Sequence, residues 1–306
     1  MEKIISFYRF FNISGTKRLR KNMQVLCEDL NLLGTILISV EGINGTLSGK
    51  ENSIKFLLEW LRKQLGIKDS LDGRWLESSV PPFKKMHVKE KKEIVALGRP
   101  DILPHRHNND NHVIPQEWNE LLEDPDTLII DTRNNYEIEI GTFMHAINPN
   151  TNTFREFPDF VNKLPESKKK TPIAMFCTGG IRCEKASILM IEQGFKNVRQ
   201  LKGGILNYLE QTDDNNSLWN GECFVFDSRV TVNNDLLEGD YIQCYACRRP
   251  LSKEDIKSPY YSEGIACPKC VDTTNPDRLL RLKEKNLQIL LTHQRSKAHL
   301  GKYFRF

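Results

Sequence analysis

Residues 172–187 read PIAMFCTGGIRCEKAS. The apolar run Ile173–Phe176 predicts a short buried strand, and the glycines that follow predict a turn into a helix. Cys177 is therefore expected at the end of the strand, where its thiol faces the N-terminus of the helix. Backbone N–H groups, the helix dipole and Arg182 would all favour an anionic sulfur there. Such surroundings lower the pKa of a thiol from about 8.5 to roughly 3.5–7.5, which predicts a nucleophile at neutral pH.

The other interpretation of Cys177 is a structural cysteine packed at the end of a core strand. Two glycines and an arginine at the positions of an anion cradle favour the reactive thiol instead. Cys183 follows in the predicted first turn of the helix. It either resolves an oxidised Cys177 or packs in the core, and the spacing alone does not separate these roles. The predicted active-site loop comprises Thr178, Gly179, Gly180 and Ile181.

The composition, with 39% hydrophobic and 27% charged residues among 306, is typical of a soluble globular protein. At this length the chain can form about two or three domains, each with its own core. The sequence begins without a long apolar segment, and no stretch approaches the roughly 18 consecutive apolar residues of a membrane span. Eight cysteines without a signal peptide indicate metal binding and thiol chemistry rather than a disulfide scaffold. We therefore predict a cytoplasmic protein.

Residues 1–97 alternate strands and helices in the order β-α-β-β-α-β, with a turn at Glu41–Gly45 between the two central strands. This order predicts a ferredoxin-like (acylphosphatase-like) α+β domain. Residues 98–112 are rich in turn-forming residues and predict a linker. The linker contains three histidines, His105, His107 and His112. They have no cysteine or acid partner at a regular spacing, which favours a solvated loop over a metal site.

A lysine-rich segment, residues 83–92, precedes this linker and includes Lys84 and Lys85. Lysines beside an aromatic residue fit a strand that contacts phosphates, which makes these two lysines candidate phosphate-binding residues. They also fit an edge strand whose charges prevent aggregation, and this stretch taken alone favours the edge strand.

Residues 113–215 predict a second α/β domain, built on a parallel sheet with helices on both faces. A strand of the buried type, Leu128–Ile130, is followed directly by Asp131 and then by Arg133. The carboxyl end of a strand is the usual place for functional residues in an open α/β sheet. We therefore expect Asp131 and Arg133 to support the Cys177 site.

Residues 216–306 contain two CxxC pairs separated by nineteen residues. The four cysteines are Cys244, Cys247, Cys267 and Cys270. Two such knuckles can offer four sulfur atoms to one tetrahedral zinc ion at about 2.3 Å, so the spacing predicts a zinc site. Zinc would be structural, because four protein ligands leave no open position for chemistry. Redox CxxC motifs, or two free pairs, are the alternatives.

The C-terminal segment, residues 278–306, is strongly basic. It has eight Lys or Arg residues against one acid, a net charge of +7, whereas the whole chain has +4. Uneven charge of this kind indicates a polyanionic partner. The candidate contacts are Arg295, Lys297, Lys302 and Arg305, with aromatic residues among them. The alternative is a solvated terminal helix whose leucines dock on the core.

The loop motif CTGGIR, residues 177–182, resembles that of the rhodanese domain, as do IDTR at 130–133 and LKGG at 201–204. Over nearly its whole length the chain also resembles the bacterial tRNA uridine hydroxylase family. The matching blocks are VEGINGTLSG (40–49), PFKKM (82–86), KEIV (92–95), residues 177–187, LKGGILNY (201–208), GECFVFD (221–227) and the CxxC cysteines. Residues 105–112 have no counterpart among these blocks.

The resemblance implies a ferredoxin-like N-terminal domain, a central rhodanese domain and a cysteine-rich C-terminal segment. It also implies oxygen-dependent 5-hydroxylation of the wobble uridine, position 34, of tRNA, with molecular oxygen as co-substrate. By motif match, Cys177 is the essential persulfide-type cysteine, and we group Arg182 and Cys183 with it as candidate catalytic residues. The basic residues named above become candidate RNA-binding residues. The sequence contains no dinucleotide fingerprint and no recognisable 2-His-1-carboxylate iron site.

The residues by themselves predict sulfur transfer, because the loop offers a thiolate and anion-binding N–H groups. The alternative to a hydroxylase is therefore a sulfurtransferase or persulfide carrier that acts on RNA or on an acceptor protein. A phosphatase is disfavoured, because phosphatases on the related fold carry a loop one residue longer than the Cys-x4-Arg loop of residues 177–182.

Overall fold

A computed structural model describes residues 2–69, 71, 73–78, 82–107 and 111–294. These residues divide into two compact units. The first comprises the described residues up to Phe224 together with Asn233–Leu237, and the second comprises Val225–Val232 and the described residues from Glu238 onward. Cys177 belongs to the first unit, and the two CxxC pairs belong to the second.

Antiparallel pairing dominates the N-terminal sheet of the first unit. The sequence here forms β1 (Glu2–Phe10), α1 (Thr16–Asp29), β2 (Leu33–Ser39), β3 (Gly42–Gly49), α2 (Glu51–Leu65), β4 (Arg74–Ser78) and β5 (Met86–Glu90). The strand order is β4-β1-β3-β2-β5, in which β5 pairs parallel with β2 and the other neighbours are antiparallel. Both helices bury an apolar face against the sheet, with Met23 of α1 and Leu57 of α2 in the shared core. The predicted ferredoxin-like arrangement is confirmed, with β5 added at one edge.

The turn between β2 and β3 is shorter than the sequence predicts. The sequence predicts a turn over Glu41–Gly45, but β3 already begins at Gly42. Gly42 has a φ of +150°, and a Cβ atom there would lie 2.2 Å from the backbone oxygen of Arg9 on β1. Glycine therefore lets the strands approach closely, which extends the ladder into the predicted turn. Glu41 stays at the tip, with its side chain buried.

A parallel sheet of four strands contains the strand that leads to Cys177. Its strands are β6 (His112–Val113), β7 (Leu128–Asp131), β9 (Ile173–Phe176) and β10 (Val198–Leu201), in the order β6-β10-β9-β7. The rest of this region forms α3 (Pro115–Glu123), α4 (Asn135–Ile138), β8 (Gly141–Phe143), α5 (Phe157–Lys163), α6 (Ile181–Glu192) and α7 (Gly204–Gln211). All four residues of β9 are buried. The predicted parallel α/β sheet is confirmed.

The remaining elements are short apart from the last helix. β11 (Trp219–Gly221) pairs antiparallel with β8. The other elements are β12 (Cys223–Phe224), β13 (Thr231–Val232), β14 (Ile242–Gln243), β15 (Pro250–Leu251), α8 (Lys253–Lys257), α9 (Pro276–Gln294) and the 3-10 turns Pro104–Arg106, Phe154–Glu156 and Glu166–Lys170. β14 and β15 form an antiparallel ladder around the first CxxC pair. Among the described helices, none has the length and apolar composition needed to cross a membrane.

The predicted linker begins inside a core. Leu97 and Ile102 are both fully buried, and both belong to the core of the parallel sheet. His105 and His107 are exposed, as the interpretation of a solvated loop expects. The chain therefore packs at residues 97–102 before it reaches the surface at these histidines. Residues 108–110 lie outside the described part of the chain.

A buried ion cluster joins α6 to the N-terminal sheet. Lys185 Nζ lies 2.9 Å from Glu41 Oε2 and 2.7 Å from Glu93 Oε2, and all three side chains are buried. Glu41 Oε1 also accepts a hydrogen bond from the backbone N–H of Ile94. Burial raises the pKa of Glu41, and the hydrogen bond and charge of Lys185 act against that rise. The lysine thus ties the helix after Cys177 to the tip of the β2–β3 turn.

We expect Lys185→Met to lower the free energy of unfolding by about 3–5 kcal/mol, because it leaves two buried carboxylates without a counterion. Urea denaturation followed by tryptophan fluorescence measures this loss. Lys163→Met, at an exposed position of α5, is the matched control and should unfold close to wild type. A Lys185→Met protein as stable as this control would contradict a structural role for the cluster.

Candidate active site

Cys177 directly follows β9, and its side chain is buried. Its sulfur accepts a hydrogen bond of 3.1 Å from the backbone N–H of Gly180, and α6 begins at the next residue, Ile181. Gly180 has a left-handed φ of +94°, a conformation that a side chain would strain. This is the predicted strand–loop–helix arrangement, in which the thiol lies at the N-terminus of a helix.

The thiols of Cys177 and Cys183 have opposite tendencies to ionise. Burial opposes ionisation of Cys177, but a hydrogen bond from the Cys183 thiol, the charge of Arg182 and nearby backbone N–H groups outweigh it and lower its pKa to about 6. The pKa of Cys183 is raised well above its ordinary value, because this thiol is buried and lies beside Cys177. At neutral pH Cys177 is therefore a thiolate, and Cys183 keeps its proton. Thr132 Oγ1 also lies 3.6 Å from Cys183 Sγ.

Arg182 is held by an acid that sequence reasoning missed. Its two terminal nitrogens each lie 2.7 Å from an oxygen of Glu137, and one of them donates to Thr178 Oγ1 at 3.2 Å. Burial raises the pKa of Glu137, but the charge and hydrogen bonds of Arg182 outweigh burial and the pKa is lowered. This bidentate pair fixes the arginine beside the thiolate. The Asn134-x-x-Glu137 spacing could have indicated this acid, since Glu137 accepts a hydrogen bond from the N–H of Asn134 at a helix start.

Asp131 and Arg133 form a buried ion pair at the end of β7. Arg133 Nη2 lies 2.6 Å from Asp131 Oδ2 and donates to the carbonyl of Gly141 at 2.6 Å. Thr142 Oγ1 donates to the same carboxylate oxygen at 2.9 Å, and the guanidinium carbon lies 5.1 Å from the ring centre of Trp219. These contacts join β7 to β8 and β11. The predicted support of the Cys177 site by this pair stays a prediction.

Three further polar residues meet at the first turn of α6. Glu184 Oε1 accepts a hydrogen bond of 3.2 Å from the Tyr8 hydroxyl and lies 3.1 Å from His112 Nε2. Tyr8 lies on β1 of the N-terminal sheet, and His112 begins β6. Sequence reasoning missed Tyr8 and Glu184, because partners 176 residues apart leave no local pattern. It grouped His112 with the solvated histidines, whereas this imidazole is paired with Glu184.

The four CxxC cysteines converge in the second unit. Their sulfur atoms all lie within 4.8 Å of one another, with 3.8 Å between Cys247 and Cys267 and 3.6 Å between Cys267 and Cys270. Sulfur ligands at 2.3 Å around a tetrahedral zinc ion lie about 3.8 Å apart, so these residues fit zinc. Arg248 has a left-handed φ of +69°, and its N–H bonds to the Cys244 carbonyl at 2.8 Å, which closes the tight turn of the first pair. The expectation of a cysteine cluster that could hold a metal is confirmed.

The candidate RNA-binding residues fall into two groups. Lys84 and Lys85 are exposed and directly precede β5, an edge strand of the N-terminal sheet. Arg295, Lys297, Lys302 and Arg305 lie outside the described residues. On α9, which precedes them, Leu282 packs against the core of the cysteine cluster. Three other leucines of this helix are exposed, namely Leu280, Leu287 and Leu290.

Comparison with known proteins matches two regions of the first unit to family models. The family model described as "UPF0176 acylphosphatase like domain" matches residues 2–94, and the model of the rhodanese-like domain matches residues 114–211. The fold and the Cys177 loop thus define a protein in which an acylphosphatase-like domain precedes a rhodanese-like domain.

Three relatives match this chain over almost its full length. A protein named tRNA uridine(34) hydroxylase from Rhizobium leguminosarum bv. trifolii is 46% identical over 298 residues, which cover 97% of this chain and 96% of the relative. Proteins of the same name from Agrobacterium fabrum and Teredinibacter turnerae are 45% and 44% identical, covering 98% and 97% of this chain and 95% and 92% of the relatives. The chain belongs to the tRNA uridine(34) hydroxylase family, and the resemblance found in the sequence is confirmed.

We expect the Cys177 thiol to titrate near pH 6, so that its thiolate fraction increases as the pH rises through this value. This titration is measured as the difference in ultraviolet thiolate absorbance between the wild-type protein and Cys177→Ser. Two other buried thiols do not interfere, because burial raises the pKa of Cys27 and Cys223 to about 12. Cys183→Ala should raise the midpoint, since it removes the hydrogen bond to the thiolate, whereas the matched control Cys223→Ala should not. A wild-type midpoint at the ordinary value of about 8.5 would contradict the thiolate.

Proposed function

We propose that this chain hydroxylates uridine 34 of tRNA at C5, with molecular oxygen as co-substrate. The match to relatives named tRNA uridine(34) hydroxylase carries the proposal, because at 97% coverage it omits only a few residues of this chain. One oxygen atom would enter the base and the other would leave as water, which requires two electrons and two protons from a reductant. In this proposal residues 1–97 and 113–215 are the acylphosphatase-like and rhodanese domains, joined by the linker 98–112. Residues 216–306 are the cysteine-rich segment and basic tail.

Cys177 is the essential thiol in this proposal. Its lowered pKa supports the role, because a thiolate at neutral pH is the reactive form of cysteine. Arg182, fixed by Glu137, stabilises negative charge beside the sulfur, and Cys183 supplies a hydrogen bond. The backbone N–H groups of Gly180, Arg182 and Cys183 face the sulfur, where a developing negative charge would be stabilised.

A sulfurtransferase or persulfide carrier is the second candidate function. The thiolate of Cys177 within a rhodanese-like domain favours it. Such a thiolate can take the outer sulfur atom of thiosulfate, with sulfite as the leaving group, and the resulting persulfide can pass this sulfur to an RNA or to an acceptor protein. Transfer of sulfur to tRNA would leave a thiolated uridine, whereas hydroxylation would leave a 5-oxygenated uridine. The modified bases of tRNA therefore distinguish the two candidates.

We expect tRNA to bind through the exposed lysines 84 and 85 and the basic tail. Lysine and arginine neutralise phosphates, and the aromatic side chains of the tail can stack on unpaired bases. A wobble base lies in a loop rather than in a duplex, so it can turn into a pocket near Cys177 at small unstacking cost. With tRNA as substrate, we expect the protein to work in the cytoplasm.

We also propose that Cys244, Cys247, Cys267 and Cys270 hold one structural zinc ion. The spacing of their sulfur atoms supports this, since it fits tetrahedral coordination. Four protein ligands fill the coordination shell, so zinc would stabilise the fold of the second unit and take no part in the reaction.

Metal analysis of the purified protein should find about one zinc ion per chain. Cys267→Ser should reduce this content and expose the second unit to proteolysis, because zinc binding and local folding are coupled. Cys27→Ser, which replaces a buried cysteine of α1, is the matched control and should keep its zinc. A wild-type protein without zinc, whose four CxxC thiols all react freely with a thiol reagent, would exclude the site.

Mass spectrometry of the nucleosides in tRNA tests the proposed function. A strain without this gene should lose 5-oxygenated uridine, and expression of the wild-type protein should restore it. Cys177→Ser should restore almost none, because the hydroxyl is a far weaker nucleophile than the thiolate, while its unfolding midpoint stays near wild type. Cys223→Ser, at a buried cysteine outside the loop, is the control and should restore the base.

Two outcomes of this experiment would overturn the assignments. Loss of thiolated uridine instead of oxygenated uridine would favour the sulfurtransferase. Substantial restoration by Cys177→Ser would remove Cys177 as the essential thiol and make Cys183 the next candidate.

A further inference from the structure

The hydroxyl of Tyr8 lies on the loop that holds the Cys177 sulfur. A Cβ atom on Gly180 would lie only 3.0 Å from this hydroxyl, and Gly180 is the residue whose N–H bonds to the sulfur at 3.1 Å. Burial, followed by the negative charges of Glu184 and Cys177, raises the pKa of Tyr8 well above its ordinary value. The phenol is therefore neutral, and it lies close enough to the thiolate to sense its charge.

Tyr8 is the inner end of a chain of hydrogen-bonding groups. Its hydroxyl donates to Glu184 Oε1 at 3.2 Å, and His112 Nε2 lies 3.1 Å from the same oxygen. The Glu184 side chain is 16% exposed and the His112 side chain 32% exposed. Exposure thus increases from the carboxylate to the imidazole, so this series of hydrogen-bonded groups leads from the loop toward solvent.

We propose that Tyr8, Glu184 and His112 form a proton relay that serves the reaction at Cys177. The inference rests on the proposed hydroxylation, which replaces the C5–H bond of uridine by C5–OH and therefore releases the C5 proton. The oxygen of Tyr8 accepts this proton while the phenol proton passes to Glu184 Oε1. One O–H bond forms on Tyr8 as the other breaks, so the phenol is unchanged. The carboxylic acid of Glu184, whose side chain is partly exposed, then gives this proton to water, and the N–H of His112 stabilises the carboxylate that forms again.

The relay makes the N-terminal domain part of the active site. Tyr8 lies on β1, and the model of the acylphosphatase-like domain matches residues 2–94. Lys185, the neighbour of Glu184, is bonded to two carboxylates from the same N-terminal region. Anchoring of α6 therefore does not require Tyr8, and the hydroxyl of Tyr8 is available for a chemical role.

Two substitutions separate proton transfer from simple anchoring. Tyr8→Phe keeps the ring and removes the hydroxyl. Glu184→Gln keeps an amide oxygen that can accept both hydrogen bonds, because Tyr8 and His112 share Oε1, but it removes the ability to take up a proton. An anchoring role predicts that Glu184→Gln behaves as wild type, whereas the relay predicts that it fails as Tyr8→Phe does.

The rate of hydroxyuridine formation is measured in a deletion strain after induction of each variant. Nucleosides of the tRNA are quantified by mass spectrometry at successive times, with protein levels matched. We expect Tyr8→Phe and Glu184→Gln each to slow formation by about 100-fold, the lower end of the contribution of a general base. Tyr208→Phe is the matched control. It also removes a buried tyrosine hydroxyl with two hydrogen bonds, to Asn119 and to the N–H of Leu218, and it should leave the rate close to wild type.

The outcomes distinguish the relay from the proposed function. A wild-type protein that forms no hydroxyuridine overturns the proposed function, and the relay with it. A normal wild type with Glu184→Gln at the wild-type rate overturns the relay alone, as does a normal rate for Tyr8→Phe. Purified variants are also compared with wild type by urea denaturation. A slow variant that remains folded, together with a normal Tyr208→Phe, supports the relay.

Discussion

A buried charge without a partner costs several kcal/mol, and the first turn of α6 carries ionisable side chains at four consecutive positions, 182–185. Consecutive residues of a helix project about 100° apart, so these four reach different parts of the first unit. Their partners are Glu137 for Arg182, Cys177 for Cys183, Tyr8 and His112 for Glu184, and Glu41 and Glu93 for Lys185. The same turn provides N–H groups that face the sulfur, and so these pairings form around the residues that surround the Cys177 thiol.

Two of these four pairings use the N-terminal domain. Tyr8 comes from β1, and Glu41 comes from the tip of the β2–β3 turn. A parallel sheet with its loop could hold Cys177 at a strand end by itself, but it would leave Glu184 and Lys185 without these partners. The acylphosphatase-like domain therefore contributes to the environment of the thiolate, in addition to any contact that it makes with RNA.

Local patterns were sufficient for the parts of the site that depend on a few neighbouring residues. The run Ile173–Phe176, the glycines after it and the CxxC spacing each fix a short piece of backbone, and the structure contains all three. Lys185 and Tyr8 could not be placed in the same way, because their partners come from distant positions in the sequence. For Glu137 the local spacing indicates a residue at a helix start but not its pairing with Arg182. The turn at residues 41–45 was wrong for a related reason. Its glycines read as turn formers, whereas Gly42 meets the β1 backbone within a ladder.

Crowding of negative charge explains why a phenol rather than a carboxylate lies against the Cys177 loop. The thiolate and Glu184 are both anionic at the start of α6, where the helix dipole and Arg182 offset them. A carboxylate at the position of Tyr8 would be a third anion, which would oppose ionisation of the thiol and raise its pKa. A phenol avoids this penalty, because burial and the two anions keep it neutral. In that form it donates one hydrogen bond to Glu184 and still has a lone pair that can accept a proton. The low pKa of Cys177 and the neutrality of Tyr8 are thus consistent consequences of one arrangement of charges.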